Sequence, residues 1–335
     1  MAGWMGFLKA DPIEWLLEPD NPSVRYLTLT NILGRKRTDA EVKAAKAEIM
    51  SSGMVPRILG RLQDGGWSSA GRFYTDKYKG TVWQLIILAE HEADGKDQRI
   101  KGACEYILDH SQDPESYGFA HAERAGNRGG RHGEVIPCLT GNLIWSLLRL
   151  GYIRDKRVIK GIGWITKYQR FDDGEGKPPK EWPYDRYEMC WGKHSCHMGV
   201  VKALKALSAV PKELRSREVN TTIEKACDYV LAHHIYKQSR NLSKTSKPGW
   251  RKLQFPLMYQ SDILEVAGIL LDLGVRDSRM QDAIDLIASK QNGSGKWNLE
   301  SSFNGRFQFD IEARDKPSKW ITYRSVKVLR GYYEE

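Results

Sequence analysis

Residues 281–297, QDAIDLIASKQNGSGKW, join a helical pattern to a turn rich in Gly and closed by Trp. Ala283, Ile284 and Ile287 recur at i, i+3, i+4 spacing with Asp282, Asp285 and Lys290 between them, which predicts a helix burying one face. The run SDILEVAGILLDLGV (261–275) just before it is apolar on nearly every side, as a helix covered all round must be. This alternation recurs along the chain. Amphipathic segments end at Gln63 (VPRILGRLQ), Gln112 (KGACEYILDHSQ), Gln169 (IKGIGWITKYQ), His234 (EKACDYVLAHH) and Gln291. More apolar segments follow them: TVWQLIILAEH (81–91), GNLIWSLLRLGY (141–152), MGVVKALKALSAV (198–210), SDILEVAGILLDLGV and ITYRSVKVLRGYY (321–333). Adding SVRYLTLTNIL (23–33) and AEVKAAKAEIM (40–50) gives about twelve helices, or six hairpins.

The connections from amphipathic to apolar helix are long and the return connections short, so the units are too irregular for a solenoid of short repeats. Six hairpins closing into a ring would place the apolar helices inside, all parallel. The long connections, about 64–80, 113–139, 170–196, 235–260 and 292–319, would then gather at their N-terminal ends as the mouth of a cup. These segments carry 22 basic and 16 acidic residues, six of the net +10 of the whole chain. A basic mouth of this kind expects an anionic partner. No zinc-finger spacing, RNP signature or polybasic tail accompanies the charge, which argues against nucleic acid. No apolar run reaches the roughly 18 residues that span a bilayer. Met1–Leu17 carries Lys9, Asp11 and Glu14 and lacks a small-residue cleavage site, so a cytoplasmic protein is expected, with peripheral membrane contact through segment 235–260 conceivable. Five scattered cysteines indicate no disulfide framework.

Amphipathic helix, Gln, Gly and Trp, then apolar helix resembles the QW-type repeats of the terpenoid cyclase and protein prenyltransferase superfamily. QDGGW (63–67), CLTGN, CWGKHSCHMGVVKAL, PLMYQSDILE and DKPSKWITYRSVKVL are the stretches most similar to small squalene-cyclase-like and prenyltransferase-like proteins. The resemblance implies an all-α (α/α)6 toroid over residues 1–335 with a largely apolar central cavity. It implies an enzyme acting by acid–base chemistry on a hydrophobic, isoprenoid-type substrate, with a diphosphate or other anionic head group on the basic rim. The family's D-x-D-D acid motif is absent, and Trp320 and Ile321 stand where the prenyltransferases carry a zinc-ligating His. The residues leave two alternatives open: a non-catalytic protein binding a lipid or acidic ligand, and a carbohydrate-active (α/α)6 enzyme, whose inverting members place two carboxylates across the cavity, with Glu134 and Asp262 as such a pair.

Candidate residues cluster where the connections enter the apolar helices. Cys190, His194, Cys196 and His197 lie within eight residues; Cys190, His194 and Cys196 offer a three-ligand zinc site, although the C-x3-H-x-C-H spacing matches no established one. His194 and His197 also read as acid–base groups, and Cys196 as a reactive thiol or a small packed residue. Glu134, set beside Val135, Ile136 and Pro137, reads as a carboxyl near apolar surface and hence a proton donor. Asp262 reads either as the general acid or as the cap of the helix that starts beside it. Tyr74, Lys77, Tyr78, Arg131, His132, Trp191, Phe255, Tyr259, Lys319 and Trp320 are the expected substrate-binding set: cations for the head group, aromatic faces for the remainder. No cofactor beyond zinc is suggested.

Overall fold

The computed structural model describes residues 3–334 except 64, 65, 70, 127 and 175; Asp64 and Gly65 of the QDGGW stretch, Asn127 of the Arg-rich run and Glu175 therefore lie outside the described residues. Among the described residues, twelve α-helices of six residues or more build the ring: α1 (Pro22–Leu27), α2 (Ala40–Ser51), α3 (Met54–Leu59), α4 (Thr81–Glu90), α5 (Gln98–His110), α6 (Pro137–Arg149), α7 (Lys156–Tyr168), α8 (His197–Ser208), α9 (Arg217–Ala232), α10 (Ile263–Asp272), α11 (Gln281–Ser289) and α12 (Lys319–Tyr333). Helices α1, α4, α6, α8, α10 and α12 form the inner layer, and α2, α3, α5, α7, α9 and α11 pack outside, making the expected (α/α)6 toroid. Burial follows the sequence pattern. All ten residues of α4 are buried, whereas α7 buries only Val158, Gly161, Trp164 and Ile165.

The repeated Gln–Gly–Trp turn has a local physical reason. Trp297 donates its indole N–H to the Ile287 carbonyl of outer helix α11 at 2.7 Å, and its backbone N–H to Thr322 Oγ1 of inner helix α12 at 3.0 Å. Trp67 repeats both bonds, to Ile58 O at 2.8 Å and Thr81 Oγ1 at 3.2 Å. Phe119, which has no indole N–H, keeps only the backbone bond, to Thr140 Oγ1 at 2.9 Å. The Trp67 and Trp297 turns thus tie an outer helix to the next inner one and satisfy groups that burial would otherwise strand. Gly295 in the last turn has φ +75°, and a Cβ there would stand 2.1 Å from the Ala10 carbonyl oxygen. Only glycine fits.

Inner helices approach closely where their residues are small. At Gly141 of α6 a Cβ would fall 2.5 Å from the backbone of Lys202 in α8. The only strands among the described residues are a short antiparallel pair, β1 (Lys237–Gln238) and β2 (Asn241–Thr245), in the basic 235–260 connection. No helix among the described residues is long and apolar enough to cross a membrane.

Candidate functional site

The two ends of the toroid differ. At the N-terminal ends of the inner helices the long connections fold together, and several expected residues meet. Tyr78 and Tyr259 approach hydroxyl to hydroxyl at 3.3 Å, and Lys77 Nζ stands 4.8 Å from the Tyr74 ring and 5.0 Å from the Tyr259 ring. Phe303 stacks on Tyr78 at 4.1 Å and helps fill the mouth. Burial pushes the phenol of Tyr74 and the thiol of Cys190 well up, and Cys138 up to about 12, so these groups stay protonated.

Other expected residues are occupied elsewhere. Asp262 is buried at the start of α10, where Oδ1 accepts the Glu265 N–H at 2.8 Å and Oδ2 the Gln254 N–H at 2.9 Å; burial raises its carboxyl to about 6. Oδ1 thereby caps the N-terminus of α10. Glu134 pairs with His121 at 2.7 Å, and Arg131 Nη1 stands 3.9 Å from it. His132 donates to or accepts from Asp113 at 2.7 Å and stacks on Trp182 at 4.0 Å. His197 is buried against Trp250 and His233, and burial holds it well below the usual imidazole range. His194 is exposed, 3.6 Å from Asp173, and Cys196 forms the N-cap position of α8. Among the described residues no group of three or more His, Cys, Asp or Glu side chains is arranged to hold a metal ion. Trp191 packs edge-on against Trp164 and Tyr184, while Lys319 pairs with Glu18 at 2.8 Å and with Asp20.

Along the axis, between the C-terminal ends of α1, α4, α6 and α8 and the sides of α10 and α12 from their first turns onward, lies a cavity of about 450 Å³. Its floor is ionic. Lys202 donates to both oxygens of Glu265 at 2.9 and 2.7 Å; Lys205 donates to Glu265 at 3.0 Å and to Glu90 at 2.7 Å; Arg324 donates to Glu90 at 2.6 Å. Carboxylates from α4 and α10 therefore meet on one ammonium from α8. Trp145, 3.8 Å under Lys205, lines the wall together with Trp320, Tyr26, Tyr323 and Asn31. Phe255 stacks on Trp320 at 4.2 Å, next to Arg324. Lys327–Asp272 (2.6 Å) and Arg149–Glu92 stand at the rim, and Arg149 closes α6, where the helix dipole favours a cation.

Burial alone would raise both carboxyls. Lys205 and Arg324 outweigh it at Glu90, and Lys202 and Lys205 at Glu265, holding each at about 2. The stabilisation from these two carboxylates is complete above the unfolded-chain value, about 4.3, and is lost as pH falls through that value toward about 2. His91, held by burial at about 4, also loses stability on acidification, as does His197. Asp262 and Glu312, raised by burial, gain it, so these groups oppose one another at mildly acidic pH. Urea unfolding as a function of pH should therefore show its steep loss below about pH 4.3; a loss complete by pH 5 would contradict it.

Sequence reasoning missed this floor. The signal was present: Glu90, Lys202, Lys205, Glu265 and Arg324 are charges inside helices otherwise apolar all round, and Lys202 and Lys205 share one face.

No family model matches the sequence, and no curated protein matches it. Among solved structures, the chain is similar to an unsaturated glucuronyl hydrolase specific for heparin, at 12% identity and TM-score 0.48, covering 96% of this chain and 86% of that one. It is similar also to a family 76 glycoside hydrolase from a bovine Bacteroides thetaiotaomicron strain, at 12% identity and TM-score 0.43, covering 93% and 67%. Likeness at this identity extends to the fold alone. Both neighbours are glycoside hydrolases, neither a terpenoid cyclase nor a prenyltransferase, and the squalene-cyclase-like and prenyltransferase-like reading is corrected accordingly. The isoprenoid diphosphate substrate falls with it, and the cavity expected to be largely apolar has an ionic floor. The physical reason is that the Gln–Gly–Trp turn fastens outer helix to inner helix. Such a turn reports the ring and not the chemistry inside it.

Proposed function

We propose that the protein is a carbohydrate-active (α/α)6 enzyme that takes a sugar unit into the charged axial cavity and cleaves a glycosidic bond with Glu90 and Glu265. The observation carrying this reading is the meeting of these two carboxylates on Lys205 within a cavity that also presents indole and phenol rings. A sugar needs many fixed donors and acceptors plus a flat face for its C–H groups, and fixed ions with aromatic walls supply both. Two carboxylates bonded to one ammonium stand within two hydrogen-bond lengths of each other. That limit on the bonded oxygens favours the closer arrangement of a nucleophile and an acid–base partner over the wider gap that admits a water.

The roles divide by their anchors. Glu265 is held from below by Lys202, which does not line the cavity, so it stays ionised as nucleophile. The partners of Glu90, Lys205 and Arg324, both face the cavity. Substrate oxygens that draw them away leave burial to raise the Glu90 carboxyl, which then protonates the leaving oxygen. The test is incubation of the purified protein with a panel of neutral and acidic oligosaccharides, following new reducing ends and the anomer first formed. Cleavage with retention is expected. Cleavage with inversion would overturn the assignment of roles, and absence of both binding and cleavage across the panel would overturn the reading.

A further inference from the structure

At the mouth, away from the axial cavity, a second concavity of about 490 Å³ lies between the connections around residues 67–79 and 305–308. Arg72, Lys77, Lys79 and Arg306 line it, against one carboxylate, Asp76. Asp76 is already bonded to Arg72, at 2.6 Å. Lys77 and Arg306 have no carboxylate partner among the described residues. They rest instead on rings: Lys77 on Tyr74 and Tyr259, and Arg306 on Tyr78 at 5.0 Å and Phe303 at 5.9 Å. An aromatic face positions a cation without neutralising it. The two connections are also fixed to each other, since the Tyr78 N–H donates to the Arg306 carbonyl at 3.2 Å and Gln308 to the Lys79 carbonyl at 3.2 Å. Lys77 and Arg306 are thus held, uncompensated positive charges around one hollow, with Lys79 beside them.

We infer that this hollow binds a tetrahedral oxyanion group, the chemistry shared by phosphate and sulfate esters. Arg306 presents the planar fork that engages two oxygens at once, and Lys77 and Lys79 add point charges. This site stands independently of what the axial cavity does, because its readout is binding and not turnover.

Isothermal calorimetry of the full chain at low ionic strength, with inorganic phosphate and sulfate as separate probes and chloride as the ionic-strength control, tests it. One saturable site is expected. A stronger response to phosphate would assign a phosphate ester and a stronger response to sulfate a sulfate ester. The variants Lys77→Met and Arg306→Gln should each weaken binding by about tenfold, as loss of a charge-assisted bond does. Both should stay folded with only a slight drop in melting temperature, since each gives up a cation–ring contact and no carboxylate pair. Absence of saturable binding of either anion, or binding unchanged in both variants, would overturn the inference.

Discussion

Lys205→Met should destabilise the protein by about 3–5 kcal/mol, the cost of leaving buried charge uncompensated. The methionine stem fills much of the lysine's volume, so lost packing contributes little. What disappears is the ammonium that Glu90 and Glu265 share, 2.7 and 3.0 Å from their oxygens. Glu90 is left with Arg324, and Glu265 with Lys202. Both carboxyls then shift upward, since burial is the largest influence acting on each. A surface pair gives the contrast. Arg99 and Asp97 meet at 2.7 Å with half of the Arg99 side chain exposed, and Arg99→Ala should cost less than about 1 kcal/mol. Urea unfolding of the two variants beside the wild type decides the matter. Equal, small losses would mean that solvent already screens the floor of the cavity.

The second large effect concerns turnover. Glu90→Gln and Glu265→Gln should each lower kcat by about 10²–10⁴-fold on an ordinary glycoside, the range that a positioned acid or base supplies. The two variants should separate on a substrate whose leaving group needs no proton. There Glu90→Gln recovers the first step, because only the acid is missing, whereas Glu265→Gln stays inactive for want of a nucleophile. Loss of fold would depress both substrates alike, so the split between substrates is the readout that a structural role would not move. If the two variants behave identically on activated and ordinary substrates, the division of roles fails.

Much of the ring was legible in the residues. The switch from one-faced to all-round apolar helices separates α7 or α11 from α4 and α10 without coordinates, because burial on one side or on both is written in periodicity. The long connections at one end followed from their lengths. Part of the mouth was legible too: Tyr74, Lys77, Tyr78 and Tyr259 do come together. Asp262 shows the limit. A carboxylate before an apolar helix reads equally as an acid or as a cap, and only the two backbone N–H groups bonded to its oxygens separate the uses. Glu134 was read beside apolar neighbours, yet its partner is His121, thirteen residues away along a folded loop.

The sequence by itself determined the ring, because apolar periodicity and turn chemistry are local properties that each segment carries alone. The site of charge was decided by tertiary structure. Glu90, Lys205, Glu265 and Arg324 come from four helices, as many as 234 residues apart in the chain, and none has a partner in its own segment that would mark it. Closing the ring brings them onto one axis, and burial then makes each charge depend on the others. The Gln–Gly–Trp turns suggested a family, but what they encode is the fastening of outer helix to inner helix.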